Sequence, residues 1–211
     1  MGSAKARHAA IVALGACAAS ACIWAATIDN LEVTKQRDRY SLVADAHLAA
    51  TPQSIYTVLT DYGDNRFGRI SSAYKESRYL DPDTDGTPIV FTRMEGCVLW
   101  HCMTFDRVER LETREPKWIK TSVLPERSNF KYSTSEWTLE PDGAGGTNLT
   151  YALEMEPDFW VPPLIGPWRL RRTLADGAPR AVRRIENLAR ELEGLPIDPT
   201  VPPPGSSSAP R

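Results

Sequence analysis

The feature that most restricts what this chain can fold into is a run of short alternating segments closed by one long helical repeat. "AYKESRYL", "PIVFTRM", "MTFDRVERLE", "KWIKTSV", "KYSTSEWTLEP" and "TNLTYALEME" follow one another, punctuated by "DPDTDG", a cysteine-bearing loop and "DGAGG". Alternation of apolar and polar residues marks half-buried strands, and Gly/Asp/Pro clusters of this length mark turns. Strands joined by such short turns are antiparallel neighbours. Beyond them Leu174, Ala178, Ala181, Ile185, Leu188 and Leu192 recur every three or four residues, which predicts an amphipathic helix from about Leu164 to Leu192. Arg171, Arg172, Arg180, Arg183, Arg184 and Arg190 fall on its other faces. Gly177 and Pro179 predict a kink or break, because proline cannot donate to the carbonyl four residues back.

The front of the domain is read in the same way. Tyr40, Leu42, Ala44, Ala46 and Leu48 share one face of a strand. Thr51 suits an N-cap, Pro52 suits the first helical position, and Ile55, Val58 and Leu59 form the buried stripe of a short helix. "GDNRFG" ends it, and a second helical turn reaches about Ile70. The expected class is α+β, with about seven strands in a curved antiparallel sheet around a long C-terminal helix. A chain of 211 residues supports one such domain plus tails, and a net charge of -2 proposes no nucleic-acid partner.

Residues 1–26 combine Lys5, Arg7 and His8 with the uncharged "AAIVALGACAASACIWAA", the pattern of a secretory signal. "LGAC" ending at Cys17 also suits a lipobox, an uncleaved anchor is a further alternative, and an Ala-rich packing helix is another. The expectation is an exported protein, periplasmic or associated with the cell envelope, with its domain at 30–194 and a disordered Pro/Ser-rich tail at 195–211. Cys97 and Cys102 then face an oxidising compartment, where a disulfide is the simplest reading; free thiols, or a weak metal set with His101, are the alternatives.

No nucleophile elbow, phosphate loop, dinucleotide fingerprint or paired-histidine zinc motif is present in the sequence. No catalytic residue, metal ligand or cofactor is assigned. Glu95, Glu109 and Glu136 fall on strands, where any of them can face inward or out to solvent. Candidate ligand contacts are apolar and aromatic: Phe91, Trp118, Trp137, Tyr151 and Met155 on strands, with Trp160, Leu164 and Trp168 before the long helix. The proline-rich "EMEPDFWVPPLIGPWRLRR" reads first as a rigid hinge that docks this helix, with Trp168 inward, and second as a pocket rim at Phe159 and Trp160. Beside the arginines, that rim suits contact with a membrane surface.

The element order, with Val58, Leu59, Asp61 and Tyr62 followed by a short helix and Lys75, Glu76 and Ser77, resembles the START-like superfamily. Within it, the chain is similar to the polyketide cyclase/dehydrase and coenzyme Q-binding group, across roughly residues 35 to 193. "PDFWVPPLIGPW" looks like exported bacterial members with a paired-cysteine loop. The resemblance implies a helix-grip fold with a hydrophobic cavity under the last helix. The function expected is binding or transport of a lipid, quinone or isoprenoid-like molecule, without catalysis. A cyclase or dehydratase on the same fold is the alternative, and it requires an ionisable pair inside the cavity. A packed-core interaction module requires no cavity.

Overall fold

The computed structural model describes residues 26–98, 101–159 and 166–203; the expected export segment lies outside them except for Ala26. Eight strands, among the described residues, form one antiparallel sheet: β1 (Thr27–Gln36), β2 (Arg39–Leu48), β3 (Tyr74–Leu80), β4 (Ile89–Val98), β5 (His101–Arg114), β6 (Trp118–Val123), β7 (Phe130–Pro141) and β8 (Thr147–Pro157). Their order is β1-β2-β8-β7-β6-β5-β4-β3, so β1 and β3 are the edges. Helix α1 (Pro52–Thr60) and a 3-10 corner (Gly63–Arg69) connect β2 to β3, and α2 (Gly166–Leu192) follows β8.

β1 is the strand that alternation did not mark. It pairs with β2 through a tight turn at Arg37 and Asp38, and Arg37 adopts a left-handed φ of 55° where a glycine would have announced the turn. None of its residues is fully buried, so it carries little hydrophobic pattern. β2 matches its reading: Tyr40, Leu42, Ala44, Ala46 and Leu48 are all buried. In α1 the Thr51 hydroxyl accepts from the Ser54 N–H at 3.3 Å, and Ile55, Val58 and Leu59 are its buried residues.

α2 does not break. Pro179 lies inside it, on an exposed stretch, where it removes one ladder bond to the Ala175 carbonyl without ending the helix. Among its described side chains Val182, Ile185 and Ala189 are buried, together with Arg184 and Glu186; Leu192, expected in the stripe, is 60% exposed. Glu186 accepts from the backbone N–H groups of Ala26 (3.2 Å) and Ala49 (2.7 Å), tying α2 to the start of β1 and the end of β2. Arg190 adds a bond to the Ala49 carbonyl at 2.9 Å. α2 packs mainly over α1, β1 and β2.

The C-terminal segment corrects another expectation. Residues 195–203 turn back along α2: Asp198 bonds Arg183 and Asn187, and the carbonyls of Pro196 and Pro202 accept from Arg190 and Arg184. Arginines placed on the other faces of α2 thus hold a proline-rich strap, with Arg184 and Arg190 donating to its carbonyls.

Candidate ligand pocket

β5 decides what the inner face of the sheet contains. Its alternation sends Phe105, Arg107, Glu109 and Leu111 one way and Val108 the other. Leu111 joins the main core, and Val108 packs on the outer face with Ile89 and Phe91. Register brings Thr92 of β4 opposite Arg107, and places Thr121 of β6 opposite Ser135 of β7. Arg107 is 8% exposed and Glu109 3%. An ion pair of this kind inside a core persists only when its remaining lone pairs and protons find partners.

Most of them do. Arg107 Nη2 donates to Glu109 Oε1 at 2.5 Å and to Ser133 Oγ at 3.3 Å. Thr121 Oγ1 donates to Glu109 Oε1 at 2.8 Å and lies 2.8 Å from Ser135 Oγ. Among the described residues, two buried side-chain polar atoms make no hydrogen bond: Arg107 Nε and Thr92 Oγ1. Burial works against the guanidinium charge while the neighbouring Glu109 carboxylate supports it, and the balance holds Arg107 protonated, its pKa raised. Burial, with Glu109 nearby, raises the Tyr62 and Tyr151 phenols; burial also raises Tyr74, against the opposing pull of Arg107.

The walls are aromatic. Tyr62 stacks on Phe67 at 4.5 Å, Phe67 meets Tyr74 edge-on at 4.9 Å, and Trp137 stacks on Tyr151 at 3.8 Å. The 3-10 corner that carries Phe67 is set by β3. Asn65, at a left-handed φ of 60°, accepts from the Ser77 N–H at 2.9 Å, and the Phe67 N–H donates to the Ser77 hydroxyl at 3.3 Å. Asn tolerates that backbone region better than most residues, which explains its use here. Phe67, Tyr74, Trp137 and Tyr151, with Tyr62, Thr92 and the Arg107–Glu109 network, line a pocket of about 20 Å³, room for little more than one water.

Of the predicted ligand contacts, Trp137 and Tyr151 line this pocket. Met155 is buried on the same face but further along, with Tyr40, Leu42, Ala44, Phe130 and Leu153. Phe91 and Trp118 are corrections. Phe91 takes the opposite phase of β4 and sits under Arg78 at 4.1 Å; Trp118 is on the outer side of β6, where its indole N–H donates to Glu136 at 2.7 Å. Trp168 is 56% exposed with Arg172 near its ring, not turned inward. Trp160 and Leu164 lie outside the described residues. Phe159 is not a free rim: it stacks on Phe105 at 4.3 Å and meets Phe130 at 5.9 Å. Among the carboxylates, Glu109 faces in, while Glu95 pairs with Lys75 at 3.2 Å on the exposed surface. Cys97 and Cys102 stand directly opposite one another across the β4–β5 hairpin. Among the described residues, no α2 side chain lines the pocket; its roof is the 3-10 corner, because α2 leans toward β1 and β2.

Sequence reasoning missed Arg107, Thr92, Thr121, Ser135, Tyr62, Phe67 and Tyr74 as pocket residues. The signal was available for Arg107. In "FDRVERL" the phase holding Phe105 and Leu111 also holds Arg107 and Glu109, an opposite-charge pair enclosed by apolar residues of the same face.

Residues 39–195 match the family described as polyketide cyclase / dehydrase and lipid transport. No curated protein matches the chain. Among solved structures, a START superfamily protein from Mycobacterium smegmatis is similar at 18% identity and a TM-score of 0.54, covering 72% of this chain and 98% of that one. Human STARD10 is similar at 12% identity and a TM-score of 0.57, covering 78% and 74%. The di-domain ARO/CYC StfQ from the steffimycin biosynthetic pathway follows at 17% identity and a TM-score of 0.53, covering 74% of this chain and 53% of that one. At these identities the likeness establishes the helix-grip fold.

Proposed function

Because the chain belongs to the polyketide cyclase / dehydrase and lipid transport family, we propose that it binds a hydrophobic small molecule on the inner face of its sheet. The molecule is lipid-, quinone- or isoprenoid-like, and the protein carries it in the cell envelope after export. The observation that carries this reading is the aromatic-walled pocket at Tyr62, Phe67, Tyr74, Trp137 and Tyr151. Apolar and aromatic walls with a few fixed polar groups are the usual make-up of a small-molecule site. The two unpartnered atoms on Arg107 and Thr92 speak against a filled core, where nearly every buried polar group is bonded. In this reading Cys97 and Cys102, opposite in register, form a disulfide in the oxidising compartment.

A second reading has its own observation. A cyclase or dehydratase needs an ionisable pair in a water-poor pocket, and Arg107 with Glu109 is such a pair. Glu109 Oε1 already accepts from Arg107 and Thr121, which suits a fixed anchor better than a proton carrier.

Native mass spectrometry of the mature protein, purified without detergent from its own envelope fraction, tests the proposal. The expected result is a stoichiometric organic adduct lost on denaturation, on an unreduced chain two hydrogens lighter than the dithiol. An apo mass from an envelope preparation, with no isoprenoid or lipid in the extract, would remove the carrier reading. If Glu109→Gln retained ligand that the unmodified protein converts to a product, the enzyme reading would replace it.

A further inference from the structure

We infer that the pocket recognises its ligand by a neutral carbonyl-type oxygen, held by the Arg107 Nε–H with the Thr92 hydroxyl as second donor. The inference rests on the ligand-binding reading above and adds the chemical class of the group that enters first.

Three observations carry it. Arg107 Nε and Thr92 Oγ1 are both buried without a partner, their residues face each other across the β4–β5 register, and both residues line the same pocket. A guanidinium N–H can only donate, so whatever satisfies it must present an acceptor; a threonine hydroxyl can donate to that same oxygen. The pocket volume of about 20 Å³ admits an oxygen and its carbon and excludes a ring. The polar group therefore sits deepest, and the hydrophobic body of the ligand follows along the aromatic stacks.

Charge selects among acceptors. Glu109 neutralises Arg107, and burial holds the Tyr62, Tyr74 and Tyr151 phenols in their neutral form. The site is thus formally uncharged before anything binds. A carboxylate or phosphate would enter with a charge that nothing in the pocket balances, at the desolvation penalty of a buried ion. A ketone, ester or quinoid oxygen meets the same donors without that penalty.

Three flat probes of one shape make the test: fluorene, 9-fluorenone and fluorene-9-carboxylate, titrated calorimetrically into the delipidated mature chain. The ketone is expected to bind about tenfold or more tightly than the hydrocarbon, as for a hydrogen bond from a charged donor. The carboxylate is expected to bind more weakly than the ketone. Arg107→Lys, which keeps the charge and removes the Nε–H, should bring the ketone to within about twofold of the hydrocarbon measured on the same variant. Thr92→Val, nearly isosteric, should lower the ketone preference by about threefold. Equal binding of fluorene and fluorenone to the unmodified chain overturns the anchor and leaves the ligand-binding reading standing. Tighter binding of the carboxylate overturns the neutrality argument. Failure of all three probes, from a chain that also yields no co-purified ligand, overturns both readings. The probe comparison on the unmodified protein decides the matter even where a variant fails to fold.

Discussion

At the scale of single residues, the Arg107–Glu109 pair is where this core departs from an ordinary one. Removing one partner strands the other charge inside the domain, which typically costs about 3–5 kcal/mol, whereas replacing both with apolar residues of similar volume is often neutral or stabilising. Glu109→Leu should therefore unfold at much lower denaturant, by about 3–5 kcal/mol, and adding Arg107→Met should restore most of the loss. Equilibrium urea unfolding of the two single variants and the double variant measures this. Additive single effects would mean that the pair is not coupled. The same residues mark the limit of reading side chains from this sequence. Glu109 stood among three candidate carboxylates, but the phase of β5 was undecided because both of its faces bury an apolar residue, Leu111 on one and Val108 on the other. Phe91, in a run of β4 buried on both faces, was misassigned for the same reason. A strand in a sheet buried on both sides loses the alternation that separates inside from outside. The hydroxyl residues of the pocket left no trace at all, since Thr and Ser at strand positions look the same whether they meet solvent or a buried glutamate.

At the scale of elements, turn chemistry was the more legible part. "DGAGG" reads as a turn and is one: Asp142 accepts from the Ala144 and Gly146 N–H groups, and a Cβ at Gly146 would stand 2.8 Å from the Leu48 carbonyl. What the sequence hides is that Asp142 also meets His47 of β2 across the sheet end at 2.8 Å. The bond with His47 first, then the backbone donors, lowers the Asp142 carboxyl from 3.8 to about 2. A depressed carboxyl stabilises the fold above its unfolded pKa and loses that contribution as pH falls toward the folded one. For Asp142 the window runs from 3.8 down to about 2. Asp142→Asn should consequently melt lower than the unmodified chain near neutral pH, and the gap should narrow below about pH 3. Asp85 and Asp198, held near 2 by comparable bonds, supply other parts of the acid limb and should keep the variant acid-sensitive. Thermal melts across that range check the sign; a gap that does not change with pH would place the effect in turn geometry instead of charge. Elements without such chemistry were the ones misjudged. β1 turns on Arg37 without a glycine, α2 passes through Pro179, and the proline-rich strap at 195–203 is ordered by side chains of α2 that no local pattern reveals.

At the scale of the whole molecule, the difficulty is volume. A pocket of about 20 Å³ does not hold a lipid or an isoprenoid, for which sites of about 300–1,000 Å³ are usual, so binding requires a cover to move. Two of the elements covering the sheet are candidates. α2 is pinned by Glu186 to the Ala26 and Ala49 amides and by Arg190 to the Ala49 carbonyl, and it buries Val182, Ile185 and Ala189. The 3-10 corner is pinned by less. Two bonds to Ser77 hold it, and its link to α2, Arg69 with Glu191, is an exposed ion pair of the kind worth under about 1 kcal/mol. The corner also carries Phe67, which closes the pocket against Tyr62 and Tyr74. Opening should therefore occur at the corner, with α2 staying in place. Hydrogen exchange in the presence and absence of saturating ligand distinguishes the two. Amides of Phe67 and Ser77 should exchange faster with ligand bound, because its body displaces the side chains that protect them. The Ala49 amide, held by Glu186, should be unaffected. Most ligands slow exchange where they bind, so acceleration confined to the corner is a specific signature. Faster exchange at Ala49 and along α2, with the corner unchanged, would instead put the opening beneath the long helix, where the fold alone suggested it.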